Sequence, residues 1–162
     1  MKKTLTSGMF DKEEAKALKR RFWTGFGKQM GRHVSARGPK QKWLNYRTGV
    51  RHLFFRLHAD KRLARVSIDI QHPDPGIREL FFAQWEEYKV LLHNLTAMEW
   101  TWSPSTYLDS GQEIARISVE RAGLNMFVEE NWQEIWDWFE PVLVGLDELW
   151  GNAVEVFQDF AK

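Results

Sequence analysis

The stretch VRHLFFRLHADKRLARVSIDIQ, Val50 to Gln71, decides how the chain folds. Leu53, Phe55 and Leu57 alternate with His52, Phe54 and Arg56, and beyond Asp60 a second run sets Ala64, Val66 and Ile68 against Arg65, Ser67 and Asp69. Alternation with a period of two marks a strand with one buried face. A turn at Asp60-Lys61 makes Leu53 face Ile68, Phe55 face Val66 and Leu57 face Ala64, so three apolar pairs share one side of a β-hairpin. A slip of one residue would send one strand's apolar set to the opposite side. The same placement puts His52 opposite Asp69, Phe54 opposite Ser67 and Arg56 opposite Arg65 on the polar side.

Upstream, Asp11 to Met30 reads as a helix. Asp11 is the N-cap, Glu13 and Glu14 fill the first turn, and Gly31 is the stop. Ala15, Leu18, Phe22 and Phe26 recur at helical spacing, widened by Trp23. His33 to Thr48 reads as irregular, punctuated by Gly38-Pro39. Downstream, His72-Pro73-Asp74-Pro75 ends the strand and opens a second helix, with Asp74 as N-cap and Pro75 in the first turn. Its stripe of Ile77, Leu80, Phe81, Trp85, Tyr88, Leu91 and Leu92 extends it to about Asn94. A second hairpin covers Glu99 to about Arg121 around Asp109-Ser110-Gly111-Gln112, with Trp102 facing Val119. Pro104 marks its first strand as an edge or a bulge. Val128 to about Phe160 reads as helical, and Pro141 should kink or split it.

The order α-ββ-α-ββ-α predicts an α+β fold, a four-stranded antiparallel sheet with helices packed on one face. The length fits a single domain over 1–162, with 1–10 as a flexible N-terminal segment. No linker, low-complexity tract or internal repeat divides it.

Composition narrows the chemistry. Cysteine is absent, which excludes disulfides, thiolate zinc sites and cysteine nucleophiles. No leader-like run follows Lys2-Lys3, and no apolar stretch approaches the length of a membrane span. The expected location is cytoplasmic, with no membrane partner. Nine Trp and eleven Phe imply a thick core or an interface. The net charge of +1 conceals a division: residues 1–65 carry +14, residues 66–127 carry −5 and residues 128–162 carry −8. A basic half and an acidic tail imply either a polyanion partner or attraction between the two ends.

Several segments resemble a bacterial family known as domain of unknown function 4268. They are Arg21-Phe22-Trp23-Thr24-Gly25-Phe26-Gly27-Lys28, Trp43-Leu44-Asn45-Tyr46-Arg47-Thr48-Gly49, the helix entry His72-Pro73-Asp74 and the late Asp147-Glu148-Leu149-Trp150. The resemblance spans about Lys16 to Trp150 and consists of aromatic landmarks. Longer proteins with a similar domain join it to nuclease-like regions, so the resemblance implies a lean toward nucleic-acid biology. It assigns no catalytic residue.

The candidate site residues follow from charge. Lys40, Lys42, Arg47 and Arg51 lie among Trp43 and Tyr46, a pairing of cations for phosphates with rings for bases. The bland alternative is that the two rings plug the core and the cations are simply solvated. On the hairpin's polar face, Arg56 and Arg65 placed opposite each other would repel unless an anion or an acid lay between them. His52 opposite Asp69 would resemble a base with its orienting carboxylate. No serine motif, phosphate loop or acid-x-lysine pair accompanies them, so enzymatic activity is not the favoured reading and no catalytic residue is named. His33, His52, His58, His72 and His93 are scattered, with His52 and His58 about 20 Å apart along a strand at ~3.3 Å per residue. No metal and no cofactor are expected.

The final helix offers a second class of function. Trp132, Trp136, Trp138 and Trp150 exceed what one stripe needs, and Trp136 and Trp138 point about 200° apart. Either the core absorbs them all or some meet a protein partner or a second copy of the chain, with the acidic helix seeking a basic surface. The favoured expectation is a binding module for nucleic acid, DNA or RNA. The alternative is a protein-interaction or homodimeric accessory protein.

Overall fold

A computed structural model describes residues 11–160. The flexible segment expected over residues 1–10 lies outside them. Helix α1 spans Lys12–Met30, and the Asp11 carboxylate accepts the Glu14 N–H at 2.8 Å, the expected N-cap. Strands β1 (Leu53–Ala59) and β2 (Leu63–Ile70) follow, then α2 (Pro75–Glu86) and α3 (Lys89–Thr96). Strands β3 (Thr101–Tyr107) and β4 (Glu113–Ala122), a 3₁₀ turn and α4 (Trp132–Phe160) complete the order.

The sheet is antiparallel in the order β1-β2-β4-β3, as the α+β reading requires. One face is apolar: Leu53 and Phe55 of β1, Val66, Ile68 and Ile70 of β2, and Ala115, Ile117 and Val119 of β4 are buried beneath the helices. Trp85 of α2 stacks on Trp150 of α4 with ring centroids 5.6 Å apart, and Phe55 and Phe157 close around them. Fully burying a ring of this size contributes roughly 2–3 kcal/mol by area, so this cluster is a main anchor of helices to sheet.

The first hairpin has the expected face but not the expected register. Leu53 pairs with Ile70, Phe55 with Ile68 and Leu57 with Val66, two residues beyond the sequence-based alignment. The loop is Lys61-Arg62 rather than Asp60-Lys61. The Asp60 carboxylate accepts the N–H groups of Arg62 and Leu63, and the Asp60 N–H reaches the Leu63 carbonyl at 3.0 Å. That side-chain turn places Asp60 on the strand side of the loop. Trp102 likewise faces Ile117, not Val119: the tip, with Tyr107 opposite Glu113, is already one residue from the expected register, and a bulge between Ser103 and Thr106 shifts β3 by one more.

Two helices differ from expectation. The second ends at Glu86, where the N–H groups of Glu87 and Tyr88 turn back to the carbonyls of Gln84 and Trp85, three residues away. The tightened turn seats Tyr88 against Trp85 and Phe157, and α3 continues to Thr96. Leu80 and Leu91, expected in the stripe, are exposed. The last helix is not split: α4 carries Pro141 within 29 continuous residues. Pro141 lies on the exposed side, and Phe139, Val142 and Leu143 grip the core around it.

A candidate nucleic-acid interface

The face of the sheet opposite the helices is polar. Its rows run Phe54–Asp69–Arg116–Ser103, Arg56–Ser67–Ser118–Thr101 and His58–Arg65–Glu120 across the strands. Asp69 is only 2% exposed, and its two oxygens take Nε and a terminal nitrogen of Arg116 at 2.8 and 2.9 Å. This two-point geometry is the strong form of a carboxylate–guanidinium pair. Arg65 lies between His58 and Glu120 and is 3.3 Å from the Glu120 carboxylate.

These pairings overturn two sequence-based expectations. Arg56 is opposite Ser67, not Arg65, so no like-charge pair spans the ladder. Its guanidinium instead lies 4.2 Å from the centre of the Phe54 ring, a cation–π contact. His52 is not opposite Asp69, whose ladder partners are Phe54 and Arg116. It precedes β1 with φ of 67°, and its ring lies 4.7 Å from that of His72. Burial, with the nearby His72 and Arg51, lowers its pKa. The supposed base and its carboxylate therefore never meet.

The loop before β1 divides by residue type. Trp43 and Tyr46 are 9% and 8% exposed, so their faces belong to the core and not to a base. Trp43 donates its indole N–H to the His33 carbonyl, and Tyr46 donates its hydroxyl to Asp147 at 2.6 Å while its ring meets Phe55. Asp147 also accepts Ser35 Oγ and the Ala36 N–H, so α4 pins the loop at three points. Arg37 holds the carbonyls of Arg47 and Thr48. Lys40, Lys42, Arg47 and Arg51, in contrast, are exposed.

The acidic C-terminal segment, α4 with the turn before it, cancels only part of the basic half. Arg21 pairs with Glu129 at 2.6 Å, and Arg32 pairs with Glu140, which also receives His33 and Gln29. Among the described residues, Lys40, Lys42, Arg47, Arg51, Arg56, Lys61 and Arg62 have no acidic group within ion-pair distance. They border β1 from the loop, from its own face and from the hairpin tip. Lys61 and Arg62 were not singled out in the sequence, although their position at the turn exposes them by necessity.

The tryptophans of α4 point inward. Trp132 and Trp150 are buried, their indole N–H groups donated to the Met126 and Thr48 carbonyls. Trp136 and Trp138 are half-buried against the core, Trp136 across the backbone of Gly25. None stands out from the helix as a free anchor for a partner. Among the described residues, no three His, Asp or Glu side chains gather as a metal site would need, and no helix is long and apolar enough to cross a membrane.

Fold and surface together define an α+β domain with helices on one side of its sheet, and with a polar, arginine-bearing face and a basic flank on the other. A family model described as a domain of unknown function (DUF4268) matches residues 18–154, and the chain belongs to that family. No curated protein gave a significant match, and neither did any solved structure.

Proposed function

We propose that this chain is a non-catalytic binding module for polyanions, nucleic acid first among them, working in the cytoplasm. One observation carries the reading: the cations from Lys40 to Arg62 are solvent-facing and lack acidic partners, while Arg21 and Arg32 are paired with Glu129 and Glu140. Uncompensated cations on one flank are what a phosphate backbone requires, because each phosphate neutralised releases a condensed counterion. Arg65 and Arg116 extend the surface across the sheet, fixed by Glu120 and Asp69. With Trp43 and Tyr46 in the core, contact with phosphate and sugar takes precedence over base stacking.

Fluorescence anisotropy with labelled single strands and duplexes of DNA and RNA across a salt series tests the proposal. Affinity should fall steeply with salt, and Lys42→Ala or Arg56→Ala should each reduce the log–log slope by about 0.7–0.9. Absence of binding even at low salt would overturn it.

A further inference from the structure

β1 is an edge strand, and its outer side is open. The Gln71 N–H reaches the His52 carbonyl at 2.7 Å, and the Asp60 N–H reaches the Leu63 carbonyl. In an antiparallel ladder such hydrogen-bonded positions recur at every second residue. Phe54, Arg56 and His58 thus turn their peptide groups toward β2, while Leu53, Phe55, Leu57 and Ala59 turn theirs outward. Leu53 is satisfied locally: its N–H reaches the Val50 carbonyl and its own carbonyl accepts Thr48 Oγ1 at 2.9 Å. The outward N–H and C=O groups of Phe55, Leu57 and Ala59 have no hydrogen-bond partner among the described residues.

A groove runs along this edge. Leu44 and Asn45 form one wall and Phe55 to Leu57 the other, around a volume of about 330 Å³. Past Leu44 and Asn45 a second hollow of about 310 Å³ reaches Trp23 and shares Leu57. Unpaired edges are normally blunted by proline, bulges or charge. β3, the opposite edge, carries both Pro104 and a bulge. The Leu53–Ala59 edge has neither, and its one charged side chain, Arg56, is exposed on the sheet's polar side without an acidic partner. Lys42 and Arg47 of the neighbouring loop are likewise unpaired.

We propose that this edge receives an extended acidic peptide as a fifth strand. Its main chain would pair with Phe55, Leu57 and Ala59. Acidic side chains would lie on the side of Arg56, and alternate apolar side chains would enter the hollow at Leu57 and Trp23. Main-chain pairing of this kind supplies affinity, and the alternating pockets supply selectivity. The site shares Arg56 with the nucleic-acid surface but differs from it in using the outward peptide groups of β1, which contact with phosphate along the sheet's face does not need.

Hydrogen exchange on the isotopically labelled full chain tests it, with three probes: a blocked peptide alternating glutamate and valine, its lysine–valine counterpart and a single-stranded oligonucleotide. The glutamate peptide should slow exchange of the Phe55, Leu57 and Ala59 amides, and the lysine peptide should not. Leu57→Pro removes an outward N–H together with the Leu57 side chain that lines the hollow, but no hydrogen bond to β2, so the ladder survives, as circular dichroism should verify. It should weaken the glutamate peptide by about tenfold or more and leave oligonucleotide affinity unchanged. Arg56→Glu, which removes no backbone group, should weaken the same peptide by about fivefold or more. No protection at millimolar peptide, equal affinity in both variants, or protection of these amides by the oligonucleotide alone would each overturn the proposal.

Discussion

Tyr46 and Asp147 meet across the interior, hydroxyl to carboxylate at 2.6 Å, joining the irregular basic loop to the middle of α4. Asp147 is 4% exposed and holds two further donors, Ser35 Oγ and the Ala36 N–H. Burial, and then the bond to Asp147, push the Tyr46 phenol well above its ordinary range, so Tyr46 remains the donor of the pair. Removing the carboxylate leaves three donors without their acceptor, two of them on the buried residues Tyr46 and Ser35. Asp147→Ala should therefore cost about 2–4 kcal/mol, against roughly 1–2 for Tyr46→Phe. Urea unfolding followed by tryptophan fluorescence measures both. The double variant should cost less than the sum, because the two residues share a bond.

Glu140 gives the fold an acid-sensitive joint. Burial favours its neutral form, but hydrogen bonds from Arg32, His33 and Gln29 outweigh that and hold its pKa at about 2, against 4.5 for the free side chain. A carboxylate with a depressed folded-state pKa contributes stability above its unfolded pKa and loses it as pH falls through the folded value. Stability should thus decline between about pH 4.5 and pH 2. Since Arg32 is largely exposed, solvent screening holds the contribution to roughly 1–2 kcal/mol. Glu140→Gln should lower stability at pH 7 and flatten this part of the profile, as denaturant titrations at several pH values would record. An unchanged acid limb would exclude Glu140 as its source.

Why some features were legible in the sequence and others were not follows from what a pattern encodes. Alternation in Val50 to Gln71 fixes which side chains share a face, and that reading matches the first hairpin. It does not fix absolute register, since a shift of two residues preserves every face. Leu53 accordingly pairs with Ile70 rather than Ile68, and the deciding group is the Asp60 side chain closing the turn. The break at Glu87-Tyr88 carries no glycine or proline, and its cause, the seat of Tyr88 against Phe157, is distant in the chain. In the loop, Trp43 and Tyr46 between cations read alike whether their rings face inward or outward. Asp147, which helps settle the matter, lies 101 positions away. The charge division was plain from counting alone. Which cations remained unpaired depended on where the fold sets Glu129 and Glu140, beside Arg21 and Arg32.

Asp69 and Arg116 anchor the sheet's polar face. Removing one partner of a well-buried ion pair leaves the other charge uncompensated, which is costlier than losing both. Asp69→Asn should destabilise by about 2–4 kcal/mol, and adding Arg116→Gln should recover part of that loss. Thermal unfolding of the two single variants and the double variant completes the cycle. A purely additive result would show that Asp69 serves the fold through some contact other than Arg116.

Three helical glycines separate close packing from mere composition. A Cβ on Gly145 would lie 2.4 Å from the Leu95 carbonyl oxygen, and a backbone atom cannot swing aside as a side chain does. A Cβ on Gly25 would lie 2.4 Å from the Trp136 ring, which has only partial freedom to shift. At Gly27 the nearest atoms are the Leu44 methyls at 4.0 Å, an ordinary contact. The helix favours alanine over glycine by roughly 0.5–1 kcal/mol, so Gly27→Ala should stabilise by up to that amount. Gly25→Ala should destabilise by about 1–3 kcal/mol through overpacking, and Gly145→Ala by at least as much, since α3 must move away from α4. Trp136→Leu in the Gly25→Ala background should relieve part of the first defect. It should do nothing for the second, because the Gly145 clash is with α3. Melting temperatures of the three single variants, and of Trp136→Leu in the Gly25→Ala and Gly145→Ala backgrounds, would establish the order, and a stabilising Gly145→Ala would mean that α3 and α4 are not in close contact at Leu95.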